Sequence, residues 1–100
     1  MIYFGIDIGK RFHVAGAVDD RGVEVISPFE FDNGAEGFAE LLSVMEKVEA
    51  AYGGLVVGME VTGHYWYSCF RHLEIHGLNC ICVNPSKTVA MRRIKGREYS

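Results

Sequence analysis

No run of apolar residues approaches the ~20 that a helix needs to cross a bilayer, so a helical membrane span is excluded and no membrane partner is expected. The opening residues, Met1-Ile-Tyr-Phe-Gly-Ile-Asp7, lack the basic and apolar segments of a secretory signal, and a cytoplasmic location is expected. Cysteine is scarce: Cys69, Cys80 and Cys82 are odd in number and in no framework spacing, which excludes a disulfide scaffold and fits a reducing compartment. There is no linker-like or low-complexity stretch. A phosphate loop ending in Gly-Lys-Ser/Thr is missing too, which rules out a Walker nucleotide site.

What remains is 100 residues with 49% hydrophobic and 23% charged content, the profile of one compact folded domain. The net charge of −3 conceals an asymmetry. Residues 1–86 hold five Lys/Arg against twelve Asp/Glu, whereas residues 87–100 hold five Lys/Arg against Glu98 alone. A basic terminal segment suits a polyanion, and a solvated helix face is the plainer alternative. The sequence stops inside that segment, so the chain is expected to be the front part of a longer protein.

The first third alternates with period two. Ile2 to Ile8, Phe12 to Val18 and Val23 to Phe31 read as three strands joined by the short turns Gly9-Lys10-Arg11 and Asp19-Asp20-Arg21-Gly22, an antiparallel meander. The period then changes to about 3.6. Asn33 and Glu36 have capping-box spacing, and Phe38, Leu41, Leu42, Met45 and Val48 form one apolar stripe. Gly53-Gly54 ends that helix, and Leu55 to Glu60 reads as a strand buried on both faces. A second helix is expected from Tyr65 to His76, a fifth strand from Cys80 to Val83, and a third helix opening at Asn84-Pro85 and carrying the basic residues. The order β-β-β-α-β-α-β-α is that of a ribonuclease H-like mixed sheet, interrupted before the end of the domain. By fold analogy the first strand is central and the fourth runs parallel beside it.

Asp7 and Glu60 each end an apolar strand, and each follows a glycine two residues earlier on the same face, in Gly5-Ile6-Asp7 and Gly58-Met59-Glu60. A buried carboxylate costs several kcal/mol unless it is paired or bound to a cation. On adjacent strands, ~4.8 Å apart, the two acids would meet at one site. Divalent cations would hold both ionised, and two-metal centres work with ions ~3.5–4 Å apart. The plainer alternative makes Asp7 a cap of the following turn and Glu60 a cap of the second helix.

Other residues are read more simply. Lys10 and Arg11 could meet phosphates or be solvated turn residues. Thr62 and His64 open the second helix, where phosphates are attracted, although His64 could equally cap it. Trp66 is read as core in preference to a base-stacking role. Cys69, His72 and His76 share a helix side but lack a fourth ligand, so zinc is disfavoured. Cys80, Cys82 and His13 are read as structural.

Several blocks resemble a known family. Gly5-Ile-Asp-Ile-Gly-Lys-Arg-Phe-His13, Asn33-Gly-Ala-Glu-Gly-Phe38, Val57-Gly-Met-Glu-Val-Thr-Gly-His-Tyr-Trp66 and Val83-Asn-Pro85 look like the N-terminal domain of DEDD-type insertion-sequence transposases of the "one-ten" group. That domain is similar to the RuvC Holliday-junction resolvase. The resemblance implies DNA transposition and recombination by metal-dependent strand cleavage, with two Mg²⁺ ions (Mn²⁺ able to substitute) held by four acids. Asp7 and Glu60 match the first two. The other two, in a Lys-Thr-Asp-x-x-Asp-like motif, lie beyond residue 100, as does a C-terminal transposase domain carrying a serine thought to act as nucleophile. Residues 1–100 alone are therefore expected to be inactive. DNA is the implied partner, with Lys10, Arg11, Thr62, His64, Arg92, Arg93, Lys95 and Arg97 as candidate contacts. The family also implies a guide RNA and an oligomeric full-length protein. Two other classes fit the pattern less well. An actin-like or sugar-kinase ATPase would place Gly and Ser/Thr where Lys10-Arg11-Phe12 stand, and a non-catalytic nucleic-acid-binding module of this fold would bind without metal.

Overall fold

Alternation of large and small apolar residues sets the strand faces. The computed structural model describes residues 1–60, 65–78 and 80–83. In chain order these form β1 (Ile2–Asp7), β2 (Phe12–Val18), β3 (Glu24–Asp32), α1 (Ala35–Tyr52), β4 (Leu55–Glu60), α2 (Tyr67–Ile75) and β5 (Cys80–Val83). The five strands make one sheet in the order β3-β2-β1-β4-β5. β1 runs antiparallel to β2 and parallel to β4, and β5 is parallel to β4. A central first strand beside a parallel fourth is the ribonuclease H-like arrangement expected by fold analogy.

Register decides what each face carries. Phe4 lies between Ala17 and Val57, and Ile6 between Ala15 and Met59. These rows form the core together with Phe38, Leu41, Met45 and Val48 of α1 and Cys69 and Leu73 of α2. Full burial of a side chain such as Phe4 or Leu41 contributes roughly 1.5–3 kcal/mol. The opposite face carries Tyr3, Gly5 and Asp7, paired across β2 with Val18, Gly16 and Val14.

Helix ends follow backbone chemistry more than side-chain signals. α1 begins after Gly34, which is extended and makes no side-chain cap bond, so the expected Asn33–Glu36 capping box does not form. Asn33 is drawn into the sheet corner instead: its N–H donates to the Arg11 carbonyl, and its side chain interacts with His13. Gly37 is required there, because a Cβ would collide with the backbone of Asp32. α2 is shorter at its start than the Tyr65–His76 expectation. It closes with the Leu78 N–H on the Leu73 carbonyl and the Gly77 N–H on that of Glu74, a Schellman ending with Gly77 at φ 79°. The expected third helix lies outside the described residues.

Candidate active site

β1 and β4 pair in parallel through Gly5 with Gly58 and Ile6 with Met59. Continuing that register by one residue sets Asp7 beside Glu60 at the carboxyl ends of neighbouring strands. Both are buried, at 6% and 8% exposure. The sheet order also reverses here: β1 leads to β2 on one side and has β4 on the other. Ligand sites in open α/β sheets form at such a point, outside the carboxyl ends of the strands. Adjacent strands lie ~4.8 Å apart, within reach of one shared cation. Behind the acids, Gly16, Gly5 and Gly58 form a row across three strands on the same face. Without Cβ atoms, this row sets no side chain of its own against the carboxylates, and all three glycines are buried.

The β1–β2 turn supplies the other wall. Asp7, Ile8, Gly9, Lys10, Arg11, Phe12 and Val14 line an open pocket of about 330 Å³. Lys10 and Arg11 are exposed and line this pocket together with Asp7. His13 locks the turn from beneath. It is fully buried, its Nδ1 accepts the Gly9 N–H at 3.1 Å, and its ring meets Phe31 edge-on at 5.3 Å. Burial lowers its pKa, against opposing pulls from Asn33 and Asp7. With Nδ1 accepting, the neutral ring carries its proton on Nε2, which is buried without a hydrogen-bond partner among the described residues.

A transposase family model, that of the DEDD "one-ten" insertion-sequence type, matches residues 4–99. The chain belongs to this transposase family. No curated protein is significantly similar to the transposase chain in sequence. In structure the transposase chain is similar to RuvC of Thermus thermophilus at TM-score 0.53 and 15% identity, covering 85% of this chain and 62% of that one. RuvC of the same organism in complex with a Holliday junction substrate gives TM-score 0.57 and 11% identity, covering 96% and 77%. Archaeoglobus fulgidus Pelota gives TM-score 0.53 and 20% identity, covering 98% of this chain and 31% of that one. The transposase chain thus spans under two thirds of the first RuvC chain, and at these identities the likeness establishes the fold alone.

Of the other candidate residues in the transposase chain, Thr62, His64, Arg92, Arg93, Lys95 and Arg97 lie outside the described residues. Trp66 is half-buried, packs on the core and stacks edge-on against Phe70 at 5.6 Å, in keeping with a core role. Cys69 sits inside the core, where burial, with Cys80 nearby, pushes its thiol up to about 12. His72 lies against Phe38 at 5.0 Å and His76 at 4.4 Å, a packing arrangement. Two residues carry more than the sequence reading assigned. His13 has a partner, but it is the backbone N–H of Gly9 at the foot of the turn, which a residue pattern does not reveal. Phe12 stands on the Asp7 face, two residues from Val14 along β2, and the alternation of that strand is its signal in the sequence.

Proposed function

We propose that this chain supplies the first two acids of the catalytic centre of a DNA transposase, with Asp7 and Glu60 as ligands for divalent cations. The in-register placement of two buried carboxylates at neighbouring strand ends carries this reading. The donor set fits: hard carboxylate oxygens suit Mg²⁺, with Mn²⁺ able to substitute. Among the described residues no group of three or more ligating side chains converges. The pair is accordingly read as half of the four-acid set that the family resemblance implies, within the N-terminal part of a RuvC-like catalytic domain. Asp7 and Glu60 would hold the ions, which would supply Lewis-acid polarisation of a scissile phosphate and charge stabilisation for an in-line displacement.

The chain's own residues do the rest. Lys10 and Arg11, which line the pocket together with Asp7, draw the DNA backbone over the carboxylates by charge, giving binding that weakens with salt. Arg92, Arg93, Lys95 and Arg97 extend that track in the sequence, and Thr62 and His64, which follow Glu60 in the sequence, are further candidate contacts. Residues 1–100 alone bind metal weakly and do not cleave. The guide RNA and the oligomer follow from the family resemblance for the full-length protein.

Mn²⁺ titration of the isotope-labelled chain tests the centre by NMR. Backbone amides around Asp7 and Glu60 should broaden first, and Asp7→Asn or Glu60→Gln should each remove the effect. Broadening that spares both acids, or that survives both substitutions, would overturn the assignment.

A further inference from the structure

We propose that Phe12 is a stacking platform for an unpaired DNA base next to the phosphate engaged at Asp7 and Glu60. This inference rests on the DNA-cleaving reading above and extends it to the form of DNA recognised. Phe12 is 43% exposed at the first position of β2 and belongs neither to the core cluster nor to the ring–ring contacts found among the described residues. Asp7 pairs with Val14, so Phe12, two residues along, lies on the same face and roughly 7 Å of strand away.

Its backbone is held on both sides. The Phe12 carbonyl lies so close to Gly9 that a Cβ there would collide with it, and His13 is buried and bonded to the Gly9 N–H. An apolar ring on a fixed backbone is presented to solvent at little entropic cost on binding.

Charge fixes the direction of the strand. Phe12 is a wall shared by two pockets of opposite character. On one side are Lys10, Arg11 and the Asp7 carboxylate. On the other, a space of about 300 Å³ is lined by Glu30, Asp32, Glu36 and Glu40. Four acids repel a phosphodiester, so the backbone runs on the Lys10–Arg11 side while a neutral base can project across Phe12. In a paired duplex both faces of each base are covered by its neighbours, so only an unpaired base offers a face to the ring. The combination of a cationic track and an aromatic ring is the general recipe for single-strand binding.

The test compares matched duplex with the same duplex containing a short unpaired bubble that carries 2-aminopurine. The chain should prefer the bubble and quench the probe on binding. Phe12→Leu should weaken bubble binding ~5- to 100-fold, relieve the quenching, and leave duplex affinity and its salt slope unchanged. Phe12→Trp should retain both preference and quenching, and an unchanged urea midpoint for each variant shows that the fold is intact. Equal bubble binding by Phe12→Leu and the parent chain would overturn the stacking role while leaving the DNA-binding reading in place. Failure of the parent chain to bind either DNA would overturn both.

Discussion

Replacing His13 by phenylalanine isolates one buried acceptor. The ring is fully enclosed, and His13→Phe keeps a planar aromatic ring, one ring atom larger, against Phe31. What disappears is the Nδ1 acceptor for the Gly9 N–H, a bond of 3.1 Å at the foot of the turn that carries Lys10 and Arg11. Leaving that donor unsatisfied should cost about 1–3 kcal/mol. The cost should itself depend on pH. Burial holds the folded His13 pKa below its ordinary 6.5, so the unfolded chain takes up a proton that the folded ring resists. This contribution is fully present above pH 6.5 and is lost as pH falls from there towards the folded value, by at most about 1.4 kcal/mol per pH unit. His72, whose pKa is also lowered by burial and by its neighbour His76, titrates in both proteins and cancels in the difference. Urea unfolding at pH 7.5 and 5.5 should therefore show the gap between parent and variant shrinking on acidification. A variant as stable as the parent at pH 7.5, or a gap identical at both pH values, would refute the reasoning.

Two further outcomes are expected. Gly37→Ala forces a methyl against the Asp32 backbone and should lower stability by about 1–3 kcal/mol in urea unfolding; a neutral result would mean that the β3–α1 corner relaxes freely. In a Cys80→Ser, Cys82→Ser background, Cys69 should resist a thiol reagent at pH 8 in the folded chain and react fully in urea, because burial pushes its thiol up to about 12. Stoichiometric native labelling would contradict its place in the core.

Elements whose signals are local were readable from the sequence. β2 runs from Phe12 to Val18 as its alternation indicates, and the glycine two residues before each acid pointed to the two strand ends that the register sets side by side. Signals that depend on distant partners were not readable. Asn33 has the spacing of a cap, yet tertiary structure takes it for Arg11 and His13, and the backbone of Gly34 starts α1 instead. His13 finds its hydrogen bond only four residues away, at the Gly9 N–H, but it is the folded β1–β2 turn that brings the two together, and β2–β3 pairing that places Phe31 opposite the ring.

The core determines where the acids stand. Val57 and Met59 are wholly buried opposite Phe4 and Ile6, and this fixes the register of β4 against β1. A slip of one residue would turn both out of the core and bring Val56, Gly58 and Glu60 in, because side chains alternate faces with period two. The apolar loss would be compounded by a carboxylate turned to the core face of the sheet. The placement of Glu60 beside Asp7 is thus enforced by residues that never touch a substrate. Core substitutions that shift β4 should therefore impair metal binding even with both carboxylates intact. Val57→Ala tests this: it should weaken the Mn²⁺ response of amides near Asp7 and Glu60 in proportion to movement of the β1–β4 cross-strand contacts. An undiminished response accompanied by a displaced β4 would show that the acids find each other without the register.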